Sequence, residues 1–241
     1  MIAILTDFGH SEYLGVMKGV IHSINKNSKI VDLYNFINPQ NVKEGAWILC
    51  NNCKYFPKNT IFLCIVDPGV GSKRQCLAVK TKNYFFVGPD NGLMYKAAAE
   101  DKIIYVAKLP TKYASMTFHG RDVFAKAAAM LEKGIKIENL GKKTSIKSKM
   151  DFYLKGSLGE IVRIDYFGNI ITNLSSLGKN AYNVKAKNFR QKLYFYRTYA
   201  KAPPKKIFLV KGSSNTLEVS IKNSSASKKL KLKAGDKIEI K

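Results

Sequence analysis

Thr60-Ile61-Phe62-Leu63-Cys64-Ile65-Val66-Asp67-Pro68-Gly69-Val70-Gly71 is the stretch that decides the fold. Six apolar residues follow the threonine without a polar break. A parallel strand buried on both faces reads this way. It runs directly into an acid, a proline and two glycines, which is turn chemistry at a strand's carboxyl end. In open α/β sheets ligands bind at those ends. Gly69 and Gly71 bring backbone close to whatever lies there, but neither the Rossmann nor the P-loop glycine spacing is met.

The same grammar appears on either side. Ile2-Ala3-Ile4-Leu5 is a short strand that ends at Thr6-Asp7-Phe8-Gly9. Tyr13 to Asn25 then has helical spacing, with Leu14, Met17, Val20, Ile21 and Ile24 on one face. Residues 29–33 read as a strand and 41–53 as a helix, with Asn41 as N-cap and Glu44 three places on. Residues 76–80 and 84–87 read as a further strand pair, and Gly120 to Gly134 as an alanine-rich helix. Strands alternating with helices predict an α/β domain with a central, largely parallel sheet over residues 1–141. The polar, basic stretch after it predicts a linker over 142–156. Beyond it come short strands without helices: 159–164, 170–173, 192–196, 207–210, 216–221 and 237–240. They predict a small C-terminal β-barrel domain over 157–241. In Lys228 to Lys241, Leu230, Leu232, Ile238 and Ile240 alternate as on an edge strand.

Composition bounds the function. Hydrophobic residues make up 46% of the 241, enough for a real core. Lys and Arg number 41 against 17 Asp and Glu, a formal +24. The lysines are scattered along the whole chain, so a solvated surface is the plainer reading. Basic residues interleaved with Tyr194, Phe195, Tyr196, Arg197 and Tyr199 keep a nucleic-acid-binding protein as the competing class. Neither a signal peptide nor an apolar run of the roughly 20 residues a membrane span needs is visible. A cytoplasmic protein without membrane association is expected, with Cys50, Cys53, Cys64 and Cys76 as free thiols. Cys50 and Cys53 have the spacing of half a zinc site, but no second pair or nearby histidine completes one. No metal is expected.

Few residues could carry chemistry. Asp7 and Asp67 each follow a strand. Histidine is limited to His10, His22 and His119. His119 lies just before the alanine-rich helix, where the helix dipole keeps an imidazole neutral.

At this point the segments resemble a family. The chain is similar to the S-adenosylmethionine hydroxide adenosyltransferases, relatives of the fluorinase and chlorinase enzymes. The motifs are Thr6-Asp7-Phe8-Gly9, Gly15-Val16-Met17-Lys18-Gly19, Val66-Asp67-Pro68-Gly69-Val70-Gly71, Gly88-Pro89-Asp90-Asn91-Gly92-Leu93, Thr117-Phe118-His119-Gly120-Arg121-Asp122, Phe167-Gly168-Asn169, and Gly212-Ser213-Ser214 with Leu217-Glu218-Val219. Each is short, but all stand in the family's order from the first strand to the last.

The resemblance implies hydrolysis of S-adenosylmethionine to adenosine and methionine, with the molecule as substrate and no cofactor. It implies a triad of Asp67, Arg74 and His119 around a water, Arg74 holding Asp67. Asp7 would bind the ribose hydroxyls, and Phe118 and Phe167 would line the sugar and adenine pocket. Asn169 would read the adenine edge, with Glu218 and the backbone near Ile221 beside it. Asp165 would meet the methionine ammonium and Ser213 its carboxylate. The resemblance also implies a homotrimer, with the site completed between neighbouring subunits. The halogenating relatives carry a tyrosine where Asp67 stands and a threonine where Val70 stands. A carboxylate there repels a halide and accepts a hydrogen bond from water, which favours hydrolysis over a halogenase on the same scaffold. Three features depart from the pattern: Glu12, Lys222, and a short region between Asn173 and Phe208.

Overall fold

The computed structural model describes residues 1–241, in two compact units, Met1–Met150 and Asp151–Lys241. No helix is long and apolar enough to cross a membrane.

The first unit runs β1 (Ile2–Thr6), α1 (Tyr13–Ile24), β2 (Ile30–Tyr34), α2 (Val42–Asn52), β3 (Ile61–Ile65), β4 (Cys76–Thr81), β5 (Phe85–Pro89), α3 (Tyr95–Glu100), β6 (Ile103–Lys108), α4 (Ala125–Glu132) and β7 (Lys142–Lys143). Its sheet has the order β2-β1-β3-β5-β4-β6-β7. The first four strands in that order are parallel, and β4, β6 and β7 continue the sheet antiparallel. The apolar run of β3 has the predicted cause. Ile61, Leu63 and Ile65 pack with α1 and α4 on one face, while Phe62, Cys64 and Val66 pack with α2 and α3 on the other. A strand covered on both faces has no polar position left over.

Alternation carries past the strand ends. Thr6 pairs with Ile65, so β1 and β3 release Asp7 and Asp67 side by side. Asp67 continues the parity of Ile65, toward the layer of α4. On β4, Cys76 and Ala78 belong to that same layer, and Arg74, two residues earlier, extends their face. The α4 end of the sheet therefore collects these side chains.

Local caps match the expectations for α2. Asn41 accepts from the Glu44 amide at 3.1 Å, and buried Glu44 accepts from the Asn38 amide and both asparagine side chains. The alanine-rich helix differs from its expectation. Gly120–Phe124 is a π-helical turn, and regular α-helix begins only at Ala125. Insertions of this kind recur at functional sites.

The stretch expected as a linker is partly ordered on the first unit. Lys142 and Lys143 pair with β6, and the amides of Lys147 and Ser148 donate to Asp90.

The second unit runs β8 (Leu158–Ile164), β9 (Ile170–Ser175), β10 (Ala181–Ala186), β11 (Phe189–Tyr194), β12 (Ile207–Lys211), β13 (Thr216–Ile221), α5 (Ala226–Leu230) and β14 (Lys237–Ile240). Its sheet order is β11-β10-β14-β8-β9-β13-β12, and a bridge between Phe195 and Leu209 links the two ends into a nearly closed barrel. The core inside is one cluster drawn from every strand, including Ile161, Ile170, Tyr182, Leu193, Leu209, Val219 and Ile238. The edge strand expected from Leu230 onward is corrected twice: its first half is not strand, and its second half, β14, lies inside the sheet between β10 and β8. Ser225 caps α5 through the Lys228 amide, Lys231 turns the chain with φ 53°, and only 237–240 is strand. Leu232 is buried from that turn, so its apolar character came from the core and not from strand alternation.

Gly71 is the one turn glycine on which the 67–74 loop depends. Its φ is +77°, and a Cβ there would stand 2.5 Å from the Met116 carbonyl oxygen. Gly71→Ala should therefore lower stability by about 1–3 kcal/mol through combined strain and overlap. Urea denaturation measures this; an unchanged midpoint would mean that the loop is not held against residue 116.

Candidate active site at the strand ends

Arg74 is the centre of a hydrogen-bonded cluster in the first unit. Its Nε donates to Asp67 Oδ1 at 2.7 Å, and Nη2 donates to Asp67 Oδ2, completing a two-pronged ion pair. Nη2 also contacts His119 Nδ1 at 2.9 Å, and Nη1 donates to Cys76 Sγ at 2.9 Å. The Phe124 ring lies against the guanidinium, 5.5 Å from centroid to Cζ. The Arg74 and Asp67 side chains are 8% and 7% exposed, so this is a buried pair. Burial opposes the Arg74 charge, and the bonds to Asp67 outweigh it and raise the affinity for the proton.

The geometry assigns the histidine tautomer. A guanidinium has donors and no acceptor. The His119 Nδ1 facing it must therefore accept, and the neutral ring carries its proton on Nε2. Burial, then the Arg74 charge, lowers the His119 pKa from its ordinary 6.5, against weaker pulls from Asp67 and Asp122. The residue is 5% exposed. It is aimed by the π-turn that follows it, whose Asp122 is clamped by Arg121 and the Ser115 amide.

Asp67 and His119 line an open cleft of about 450 Å³, and Arg74 stands behind them. Asp7 and Phe118 line the same cleft, with Phe8, Tyr13, Val70 and Thr117. Asp7 Oδ2 accepts from the Gln40 amide at 2.8 Å. Phe118 packs edge-on against Phe8 and Tyr13 at 6.1 and 5.1 Å. The first unit thus brings together all five residues the sequence nominated in it. Sequence reasoning missed Cys76, which touches both Arg74 and His119. The signal was there: in an extended chain, residues two apart share a face.

The second unit holds the others. Asp165, Phe167 and Asn169 form the β8–β9 turn, in which Gly168 has φ +82°. Asp165 Oδ1 accepts from the Phe167 and Asn169 amides at 3.0 and 2.8 Å, and Oδ2 from the Asn169 side chain at 2.8 Å. Phe167 is 75% exposed. Glu218, on β13 beside β9, is buried and accepts from the Tyr199 hydroxyl at 2.7 Å. Burial, with the nearby Asp165 charge, raises the Glu218 pKa against that bond. Ile221 packs in the barrel core at the end of β13 nearer Asn169, and exposed Ser213 lies in the turn at the opposite end. The aromatics considered for nucleic acid are partly used inside the unit: Phe195 packs on the core and Tyr196 on Phe208.

Comparisons with known proteins agree along the whole chain. Residues 2–141 match the model of the SAM hydroxide adenosyltransferase N-terminal domain, and residues 159–239 that of its C-terminal domain. An (R)-S-adenosyl-L-methionine hydrolase of Methanocaldococcus jannaschii is 34% identical, over 100% of this chain and 95% of its own. One of Thermus thermophilus is 31% identical, over 98% and 97%. A fluorinase of Actinopolyspora mzabensis is 25% identical over 72% of this chain and 71% of its own. The crystal structure of an uncharacterized conserved protein from Thermotoga maritima superposes with a TM-score of 0.91 at 32% identity, covering 100% of this chain and 99% of that one. On both domains and over its full length, the chain belongs to the SAM hydroxide adenosyltransferase family.

Proposed function

We propose that this chain hydrolyses S-adenosylmethionine to adenosine and methionine, and that its substrate is the R epimer at sulfur named in the hydrolase relatives. The observation that carries the reading is the Asp67–Arg74–His119 cluster on a cleft wall that also holds Asp7. The hydrolase relatives align over nearly the whole chain and the fluorinase over less, which supports water over a halide.

The reaction is an in-line displacement. A water oxygen forms a bond to the 5′ carbon while the carbon–sulfur bond breaks, and its electron pair stays on sulfur as a neutral thioether. Departure of a sulfonium needs no acid. Asp67 accepts a hydrogen bond, and finally a proton, from the water. It retains lone pairs for this after Arg74 has taken one on each oxygen. The His119 Nε2–H orients the same water as a donor. Arg74 touches neither water nor substrate and fixes the other two, so the barrier falls through positioning.

In this reading Asp7 binds the ribose hydroxyls beside Phe118. Asn169 reads the adenine edge with Glu218 and the Ile221 backbone near it, and Phe167 covers a ring face. The Asp165 Oδ2, with one donor, retains room for the methionine ammonium, and Ser213 meets the carboxylate. The assembly is a cytoplasmic homotrimer. Large exposed apolar side chains support association: Tyr113 and Met116 in the first unit, Tyr166 and Phe167 in the second.

Four outcomes test the proposal. With purified R and S epimers offered separately, chromatography should find equimolar adenosine and methionine from the R form, unchanged by excess chloride. A 5′-chloro nucleoside would transfer the chain to the halogenases. Asp67→Asn and Arg74→Lys should each cut kcat by about a hundredfold or more, since both break the two-pronged pair. Adenosine affinity by calorimetry should stay within about threefold for both. The pH profile follows from the depressed His119 pKa: the neutral ring is the competent form, so kcat/KM should hold at neutral pH and fall only below pH 6.5. A limb above that value would remove His119 from this role. Light scattering should give three chain masses, with Phe167→Glu shifting the population toward monomer.

A further inference from the structure

Cys76 is buried at 1% exposure, at the start of β4, in the apolar layer with Ala78 and Val87. Packing alone would be satisfied there by any small apolar side chain. Its sulfur is nonetheless 2.9 Å from Arg74 Nη1 and 3.5 Å from His119 Nδ1. Arg74 spends Nε and Nη2 on Asp67 and His119, so Cys76 supplies the acceptor for Nη1. An apolar residue at 76 would leave a guanidinium N–H buried without a partner, and a buried donor without a partner is costly.

The sulfur also works in the other direction. Burial pushes the Cys76 thiol up, against the pull of Arg74, so it stays protonated at neutral pH. Arg74 donates to one lone pair of the sulfur, and the S–H faces His119 Nδ1 at an S···N distance of 3.5 Å. Two donors, Arg74 Nη2 and Cys76 Sγ, then enclose that one nitrogen.

We infer that Cys76 is a positioning residue of this cleft: it locks the Arg74 guanidinium in the orientation that serves Asp67 and His119 together, and with Arg74 it keeps the His119 ring proton on Nε2. The inference rests on the hydrolytic reading of the site. Four groups face the imidazole: the Arg74 charge and the Cys76 thiol on the Nδ1 side, with Asp67 and Asp122 acting through their charges. Loosening Arg74 removes a positive neighbour and a donor at once, so both changes raise the affinity of Nδ1 for a proton.

The test uses the wild type, Cys76→Val, which keeps bulk and removes the acceptor, and Cys76→Ser, which keeps an acceptor and a donor. Three histidines in the chain make imidazole nitrogen NMR readable. In the wild type, His119 should show a bare Nδ1 and a protonated Nε2. Cys76→Val should mix the tautomers, raise the His119 midpoint, and carry the acid limb of kcat/KM up with it. Its kcat should fall about tenfold while KM stays within about twofold, as for misplacement of the reacting geometry. Cys76→Ser should recover most of the kcat and the wild-type limb. A wild-type ring protonated on Nδ1 would overturn the inference without any variant, even if the valine protein failed to fold. A folded Cys76→Val with the wild-type tautomer, kcat and limb would overturn it as well. Absence of turnover by the wild type would sink the hydrolytic reading alone, because the tautomer in the unliganded protein still decides the part played by Cys76.

Discussion

A guanidinium that is almost out of water has to be met on every side, and Arg74 imposes that constraint on its surroundings. Taking such a charge from water costs several kcal/mol, which only well-placed partners offset. Asp67 supplies the compensating charge in fork geometry, His119 and Cys76 supply acceptors, and Phe124 supplies a π-face. These partners come from the end of β3, the start of β4 and the π-turn before α4. Each element ends where it must for this one group to be satisfied. The turn through Gly71 is needed because seven residues separate Asp67 from Arg74, and the chain must double back between them on the same face of the sheet.

The legible parts of this arrangement were those that depend on local pattern. The run 61–66 gave away a strand covered on both faces, and Asn41 marked a helix start whose side chain accepts from the Glu44 amide, although the Glu44 carboxylate turns to Asn38 and to the Asn41 side chain in place of the Asn41 amide. The π-turn was not legible. Gly120 to Phe124 has ordinary helical composition, and the extra residue is accommodated by clamping Asp122 from Ser115 and Arg121. Leu230 and Leu232 were misread as strand because alternation over two positions is also what a short helix ending in a left-handed residue produces. In the site, Asp7 and Asp67 could be paired from strand ends alone, whereas nothing in Ser72-Lys73-Arg74-Gln75 marks the arginine for burial. Nothing local distinguishes it from Lys73; the acceptors that bury it lie as far as 45 residues away in sequence.

In the second unit one carboxylate organises a whole turn. Asp165 folds the β8–β9 turn by accepting two amides, and by holding the Asn169 side chain it fixes which face of that amide is left over. Glu218 is treated differently. It is buried beside Gly212, where a Cβ would overlap its carboxyl group, and a tyrosine hydroxyl is its nearest partner. The bond ties the short helical turn that carries Tyr199 to β13.

Charge decides what the cleft tolerates. The protein as a whole carries a formal +24, an unfavourable field for a cationic sulfonium approaching from solvent. At the cleft wall the balance differs. Asp67 and Arg74 cancel at contact distance, Asp7 adds a negative charge nearby, and His119 contributes none so long as its Nδ1 faces a donor. Protonating that ring would set two positive charges against each other beside the sulfonium and would also break the bond from Arg74. The same wall is a poor host for a free halide, which would meet the Asp67 carboxylate with no compensating cation exposed, because Arg74 lies behind it. In the proposed mechanism water would suffer neither penalty, since it would donate to the carboxylate and accept from Nε2–H. The proposed discrimination between nucleophiles then follows from where the guanidinium is placed: behind the acid it leaves a surface suited to a neutral dipolar molecule, whereas in front of it the cleft would attract an anion.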